Sequence, residues 1–244
     1  MISLEHVYAG YNKQQEILYD INLDIKESSI YVVLGKNGAG KTTMLRVIAG
    51  ILKPFKGEVK VDGKIAFFSH SLALPQEMKV KDALVFIAKV IHGDVEKAVR
   101  ELNLKDLLDK KISDLSEGQK RRVALAKVFM KDDYNIYLFD EPTTALDPVF
   151  ASNVREKITN LSKNKIVLYT SHNLYEAKDI GKYVILIDNG RVVKFSSISE
   201  IKPKEYLIGI RASQDLSKLL NGDYQGEYFV IKLNDPSELN NVLK

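Results

Sequence analysis

Cysteine is absent from this chain of 244 residues. Without thiols, neither a disulfide framework nor a thiolate metal site can form. The composition therefore allows a reducing compartment, although it does not require one.

Long apolar runs are also missing. The most apolar stretch, Ala83 to Ile91, is short and is interrupted by Lys89, whereas a membrane-spanning helix needs about 20 predominantly apolar residues. The segment Met1 to His6 lacks the basic start and the apolar core of a signal peptide, so we expect none there. Any membrane role is therefore expected to depend on a partner chain.

Positive charge is not concentrated in any one segment. The formal net charge is +4, and the densest cationic cluster, Lys120 to Arg122, falls on a predicted helix. A nucleic-acid footprint would be more concentrated than this, so no nucleic-acid partner is expected. The chain is 45% hydrophobic and 28% charged with mixed signs, which is ordinary for a globular protein, and its length suits one large domain with a small appendage.

One stretch stands out from this background because it carries a complete motif. Residues 35–43 read Gly-Lys-Asn-Gly-Ala-Gly-Lys-Thr-Thr, between the apolar run Tyr31 to Leu34 and a helical pattern that extends to Ala49. This matches the phosphate-binding loop G-x-x-x-x-G-K-[ST], with a strand before it and a helix after it. The candidate nucleotide-binding residues in it are Gly35, Lys36, Asn37, Gly38, Ala39, Gly40, Lys41, Thr42 and Thr43.

The residue types in this loop suit a phosphate chain. Glycine leaves backbone N–H groups free to approach an anion, and the following helix adds the positive end of its dipole. Lys41 can reach the β- and γ-phosphates, Thr42 can complete a magnesium shell, and Thr43 is placed to touch the α-phosphate. A glycine-rich turn that binds nothing is the alternative, but the Lys-Thr pair at the required offset favours a nucleoside triphosphate with Mg²⁺.

Two adjacent carboxylates end a later strand. The apolar run Ile136 to Phe139 is followed by Asp140, Glu141 and Pro142. Ligands of open α/β sheets bind at the carboxyl edge of the sheet, which would bring both carboxylates beside the phosphate loop. Asp140 then suits magnesium and Glu141 suits a water molecule, although structural carboxylates at strand ends are common.

The order of the patterns predicts an α/β fold. Strands alternate with helices through most of the chain, which indicates a mainly parallel sheet around the phosphate-binding loop. Two runs, Ile2 to Val7 and Ile21 to Ile25, predict an antiparallel N-terminal arm with the polar segment Gly10 to Gln15 between them. Tyr11 lies in that connection.

Domain boundaries follow from changes in the same patterns. A helical period between residues 72 and 130 predicts an inserted helical subdomain, within a nucleotide-binding domain that covers residues 1–203. Beyond Pro203 the pattern is that of a small β-α-β-α extension over residues 204–244, with strands near 205–211 and 227–233 and helices near 214–220 and from Pro236 onward.

Five segments together resemble the ATP-binding subunit of ABC transporters, in that family's order and spacing, over about residues 1–200. They are residues 35–43, the signature-like Leu-Ser-Glu-Gly-Gln at 115–119, 136–142, 145–147 and His172. The combination of that signature with the phosphate loop and the carboxylate strand is specific to ABC ATPases. The Lys-Arg-Arg after the signature and the short C-terminal extension are similar to the ABC-2 type exporter group.

The resemblance implies a shared ATP site. Two ATP-binding subunits sandwich two ATP molecules, each held by the phosphate loop of one subunit and the signature of the other, here Ser116, Glu117, Gly118 and Gln119. It also implies that Lys41 and Glu141 act in catalysis, with Glu141 orienting the attacking water, that His172 contacts the γ-phosphate, and that Asp147 lies near the dimer seam. Tyr11 matches the aromatic residue that stacks on adenine; a surface tyrosine and an ordinary strand-end histidine are the alternatives for Tyr11 and His172.

Two positions depart from the family pattern. Glu117 stands where glycine is usual, and its carboxylate could weaken ATP-driven closure or could be solvated. His70 replaces the glutamine that meets magnesium and water in the family, and a neutral imidazole could do part of that work.

The resemblance therefore implies an ATP-hydrolysing subunit with ATP and Mg²⁺ as cofactors. Its expected partners are a second copy of itself or a homologous ATP-binding subunit, and a separate integral membrane permease at the cytoplasmic face of the membrane, with export as the expected direction. A soluble ABC ATPase that serves no transporter remains an alternative. A nucleotide-binding regulatory module with little turnover, motivated by Glu117 and His70, is another.

Overall fold

The structure is a computed structural model that describes residues 1–12, 14–201, 206–211, 216–217, 220–225 and 227–233. It divides into two compact units, residues 1–198 and 199–244. Within the described ranges, no helix combines the length and the apolarity that crossing a membrane requires.

The first unit contains most of the secondary structure. Its strands are β1 (Ile2–Asn12), β2 (Gln15–Ile25), β3 (Ser29–Leu34), β4 (Lys56–Val61), β5 (Ile65–Phe68), β6 (Ile136–Asp140), β7 (Ile166–Ser171), β8 (Tyr183–Asp188) and β9 (Arg191–Ser197). Its α-helices are α1 (Lys41–Ile48), α2 (Val80–Ile91), α3 (Val95–Glu101), α4 (Glu117–Phe129), α5 (Pro148–Leu161) and α6 (Leu174–Ile180).

The main sheet has the strand order β5-β6-β7-β3-β8-β9. All neighbouring pairs are parallel except β8 and β9, which form an antiparallel hairpin around Asn189 and Gly190. Every residue of β3, β6 and β7 is buried, as expected for central strands covered on both faces. The predicted α/β fold with a mainly parallel sheet is therefore confirmed.

A second sheet, with the order β2-β1-β4, is antiparallel throughout. Helix α1 lies between the two sheets, and one apolar core joins all three layers. The expected N-terminal arm is thus present, but its strands are longer than predicted: β1 runs to Asn12 and β2 starts at Gln15. The expectation of a separate connection from Gly10 to Gln15 was wrong, and Tyr11 belongs to β1, because cross-strand pairing continues to Asn12 and Gln15, directly beside the turn of the hairpin.

Three helices, α2, α3 and α4, contact one another between β5 and β6. Val80 and Leu84 face the interior from α2, in agreement with the helical period of the sequence. Helix α4 also packs against β5, so it connects this helical region to the main sheet.

The second unit contains an antiparallel sheet in the order β10-β12-β11, formed by β10 (Tyr206–Ile210), β11 (Gly222–Gln225) and β12 (Tyr228–Leu233). Phe229 and Ile231 form its core. Strand β11 was not predicted, since its residues lack an apolar alternation. The helix expected near 214–220 falls mostly outside the described residues, and the one expected from Pro236 lies entirely outside them.

Candidate nucleotide-binding site

Four segments with polar side chains meet at the carboxyl edge of the main sheet. The register pairs Phe68 with Phe139, Asp140 with Thr170, and Leu34 with Ser171, so the strands β5, β6, β7 and β3 end at the same level. The residues that follow these ends are His70, Glu141, His172 and the loop from Gly35. Sequence reasoning placed these groups together, and the parallel register provides the reason.

The loop of residues 35–40 connects β3 to α1, and Lys36, Asn37 and Gly38 in it are exposed. Gly38 and Gly40 have φ values of 82° and 108°, which side chains with a Cβ rarely adopt. Helix α1 has Gly40 as its N-cap and no side chain bonded to its first turn. The loop therefore presents unpaired N–H groups and the positive end of a helix dipole to the same space.

Lys41 places its ammonium group inside this loop. Its side chain is only 6% exposed, and Nζ donates to the carbonyl oxygens of Gly35 at 2.8 Å and Lys36 at 3.1 Å. Nζ also lies 3.8 Å from Oε1 of Glu141. A buried positive charge thus faces the end of β6, where an anion could reach it.

Asp140 is a buried carboxylate held by hydroxyl groups. Thr42 Oγ1 lies 2.8 Å from Oδ2 and 3.1 Å from Oδ1, and Thr170 Oγ1 donates to Oδ1 at 2.9 Å. Asp140 is 1% exposed, and no cationic side chain of the described residues lies within 4.0 Å of it. A buried charge of this kind is costly unless a cation balances it. Hydroxyl and carboxylate oxygens are also the ligands that Mg²⁺ prefers, so Thr42 and Asp140 fit a magnesium ion that would complete its shell with phosphate oxygens and water.

Glu141 lies beside Asp140 with its carboxylate partly exposed. Oε1 is 3.8 Å from Nζ of Lys41 and 3.5 Å from Nδ1 of His172, while Thr144 Oγ1 is 3.4 Å from Oε2. The imidazole of His172 is 58% exposed. One carboxylate thus sits between an ammonium group and a histidine at the mouth of the site.

An open cavity of about 410 Å³ borders the phosphate loop and Glu141, whereas His172 lines a different cavity with Thr144 and Glu176. The cavity at the phosphate loop is lined by Tyr11, Ile17, Asn37, Gly38, Gly40, Lys41, Thr42, Thr43, His70 and Glu141. Tyr11 is half exposed, and Arg46 donates to its hydroxyl oxygen at 2.7 Å. The predicted aromatic residue and His70 therefore border the same cavity as the phosphate loop.

The signature segment opens helix α4. Ser116 is its N-cap, as predicted, and forms a capping box in which Gln119 N–H donates to Ser116 Oγ at 3.3 Å and Ser116 N–H donates to Gln119 Oε1 at 3.1 Å. A Cβ on Gly118 would lie 2.6 Å from the carbonyl oxygen of Ala145, so this glycine permits close contact with the turn that leads to Asp147. Asp147 caps α5 by accepting from Phe150 N–H at 2.9 Å.

Glu117 has a cationic partner. Lys120 Nζ donates to Glu117 Oε1 at 3.2 Å, one helical turn away. The side chain of Glu117 is 74% exposed and that of Lys120 is 18% exposed. The carboxylate that departs from the family pattern is therefore paired with a nearby ammonium group.

Two residues of the site were missed by sequence reasoning. Thr170 links the Asp140 carboxylate to the backbone of Glu141, since its Oγ1 donates to Asp140 Oδ1 and accepts from Glu141 N–H, each at 2.9 Å. Its position just before Ser171 and His172 at a strand end could have identified it. Arg121, on α4, donates to the carbonyl oxygen of Glu141 at 2.6 Å, and no sequence pattern indicates that contact.

Comparisons with known proteins agree with this geometry. The family model described as ABC transporter matches residues 18–144. The chain is 31% identical to the ABC transporter ATP-binding protein NatA of Bacillus subtilis (strain 168) over 83% of this chain and 90% of that protein. It is 30% identical to the ABC transporter ATP-binding protein YcjV of Escherichia coli (strain K12) over 100% of this chain and 74% of that protein.

A solved structure supports the same assignment. A dimeric, post-hydrolysis form of the ATP-binding cassette MJ0796, bound to ADP and Pi, is 25% identical and superimposes with a TM-score of 0.71, covering 81% of this chain and 99% of that one. Sequence, fold and site geometry lead to one conclusion. This chain belongs to the ATP-binding proteins of the ABC transporter family and is an ABC-type ATPase.

Proposed function

We propose that this chain is the ATP-hydrolysing subunit of an ABC exporter, and that it works as a dimer beneath a separate membrane permease at the cytoplasmic face. The observation that carries the proposal is the separation of its own motifs. The cavity of about 410 Å³ is lined by Lys41, Thr42 and Glu141, and by none of residues 116–119 among those the structure describes. One copy thus offers a half-site, defined as a phosphate loop that lacks a signature helix across from it.

A second copy completes the half-site. Ser116 is exposed at the N-terminus of α4, where the first N–H groups, including that of Gly118, have no partner within the helix. Such a helix end suits the γ-phosphate of an ATP held by the other copy. Asp147 and the adjoining turn, which contact α4 through Gly118 and Ala145, would lie at the seam between copies.

The described residues suggest how the γ-phosphate is cleaved. The loop N–H groups and Lys41 bind the phosphates, and Thr42 and Asp140 would hold Mg²⁺, which supplies charge neutralisation when bound. Glu141 orients a water molecule, and His172, 3.5 Å from Glu141, contacts the γ-phosphate from the same side. Tyr11 stacks on adenine. Positioning and charge neutralisation account for most of the catalysis in such reactions.

The catalytic part of the proposal is tested with Glu141→Gln in the full chain. Because the amide keeps the shape but cannot accept the proton, we expect ATP hydrolysis to fall by about 100-fold or more while ATP binding persists. ATP with Mg²⁺ should then trap a dimer in gel filtration. Glu156→Gln, the same change at an exposed position of α5, is the matched control and should behave as wild type.

Other outcomes would select another function. A wild type that binds ATP without turnover would support the regulatory module, and trapping as a monomer would argue against the shared site. A tagged chain purified from detergent-solubilised membranes should carry an integral membrane protein; recovery with soluble proteins alone would favour an ABC ATPase outside transport.

Export is supported by the Lys-Arg-Arg that follows the signature and by the small second unit, both similar to the exporter group. The direction is tested in proteoliposomes that contain the co-purified permease with the ATP-binding subunits facing outward. Added Mg-ATP should drive a panel of hydrophobic and cationic dyes into the lumen, away from the ATP side. ATP-dependent release of preloaded dye would instead indicate import.

A further inference from the structure

Arg121 is the most deeply buried cation of helix α4. It is 5% exposed, and its Nη1 donates to the carbonyl oxygen of Glu141 at 2.6 Å. Its guanidinium carbon lies 5.8 Å from the ring centroid of Phe68, the last residue of β5. Burial lowers the pKa of Arg121, although the carboxylates of Glu141 and Asp140 act in the opposite direction. A charge in this position is costly, so its contacts have to be specific.

The backbone of Glu141 needs external support. Strand β6 ends at Asp140, and Glu141 has a φ of 47°, a left-handed conformation that costs a residue with a Cβ about 1 kcal/mol or more. Two side chains hold it: Thr170 Oγ1 accepts from its N–H, and Arg121 donates to its carbonyl oxygen. Because the backbone conformation sets the direction of the side chain, Arg121 helps to fix where the Glu141 carboxylate points.

Arg121 also lies close to the signature. Helix α4 begins at Glu117, directly after Ser116, so little more than one turn of helix separates Arg121 from the signature residues. A short helical segment moves as a rigid body. A displacement of Ser116 therefore also moves the guanidinium of Arg121, which donates the hydrogen bond to the carbonyl oxygen of Glu141.

We propose that Arg121 is a positioning residue that transmits the position of the signature to the backbone of Glu141, and thereby couples the two ATP sites of a dimer. This inference rests on the proposed function. In a dimer, Ser116 of one copy meets the ATP held by the other copy, while Glu141 of the first copy serves the ATP on its own phosphate loop. When the signature of one copy contacts the ATP held by the other copy, it thus fixes the orientation of Glu141 at the first copy's own ATP site.

The test compares Arg121→Gln and Arg121→Lys with Arg122→Gln in the full chain. Arg122 is a matched control on the same helix: it donates to the carbonyl oxygen of Leu102 at 3.0 Å and lies 4.5 Å from the ring centroid of Phe150, outside the ATP cavity. Steady-state hydrolysis is measured against ATP concentration, binding with a fluorescent ATP analogue, and folding by thermal unfolding.

For Arg121→Gln we expect kcat to fall by about tenfold, with analogue affinity within about twofold of wild type. The Hill coefficient for ATP should fall from above 1 in wild type to 1. Arg121→Lys keeps the charge on a shorter donor, so its kcat should be intermediate, about threefold below wild type. Arg122→Gln should keep the wild-type Hill coefficient.

The outcomes separate this inference from the proposed function. If wild type is active and forms an ATP-driven dimer but both Arg121 variants match Arg122→Gln, the inference is wrong and the proposed function stands. A wild-type Hill coefficient of 1 contradicts the coupling. If Arg121→Gln does not fold, wild-type kcat and Hill coefficient in Arg121→Lys overturn the inference. A wild type without hydrolysis or dimerisation overturns the proposed function itself.

Discussion

Exchanging Lys120 for glutamine tests whether the unusual Glu117 is neutralised within its own helix. If the Glu117 carboxylate lies about 8 Å from a γ-phosphate across the dimer, its repulsion per unit charge is about 2 kcal/mol at an effective dielectric of 20, and about 0.5 kcal/mol in water. The side chain of Glu117 is 74% exposed, so water screens the repulsion and its energy lies in the lower part of this range. We therefore expect Lys120→Gln to weaken ATP-driven dimerisation by about 1 kcal/mol, or about fivefold.

The assay is the dimer dissociation constant with Mg-ATP in the Glu141→Gln background, measured at about 50 mM and about 500 mM salt. The loss should appear at low salt, vanish at high salt, and be reversed when Glu117→Gly is added. Lys163→Gln, an exposed change on another surface, controls for net charge. Equal dimer dissociation constants for Lys120→Gln and Lys163→Gln would contradict neutralisation of Glu117 by Lys120, and so would a failure of added Glu117→Gly to restore dimerisation.

Three further substitutions test other parts of the account. The hydroxyl of Tyr137 is buried without a hydrogen-bond partner among the described residues, and burial raises its pKa to about 12. Since an unfolded tyrosine ionises near pH 10, the free energy of unfolding of wild type should fall by about 1.4 kcal/mol per pH unit between about pH 10 and pH 12. Tyr137→Phe lacks this loss, so in urea unfolding its stability relative to wild type should rise by that amount over the same range. A difference between the two proteins that stays constant with pH would contradict this. Thr170→Val removes the hydrogen bonds to the Asp140 carboxylate and from the Glu141 N–H, so it should lower the unfolding free energy by about 1–3 kcal/mol and reduce kcat; unchanged values would contradict the role of these bonds. His70→Gln should preserve or raise ATP hydrolysis; complete loss in a folded variant would show that the imidazole has a specific role.

The sequence predicted what local patterns encode. The loop before Lys41 follows from glycines between a strand and a helix, and the position of Asp140 follows from an apolar strand that must end at the carboxyl edge. The N-cap at Ser116 follows from residue type and spacing. In each case the signal and the structure lie within a few residues of one another.

The remaining features depend on contacts between distant segments. Arg121 meets Glu141 only because α4 packs against the sheet, and Thr170 reaches Asp140 and the Glu141 N–H only because β6 and β7 pair in one register. The pairing of Lys120 with Glu117 could have been predicted from the sequence, since an i,i+3 spacing on a helix favours it. Strand β11 was missed because pairing with β12, rather than its own sequence, gives it an extended conformation.

A cross-link between the phosphate loop and the signature tests the central claim most directly. The chain contains no cysteine, so Asn37→Cys in one copy and Glu117→Cys in another, both exposed, provide unique thiols in the Glu141→Gln background. When the two proteins are mixed, a short bismaleimide should join them with Mg-ATP and leave them separate without nucleotide. Equal cross-linking with and without ATP, or none while ATP is bound, would contradict a site shared by two copies.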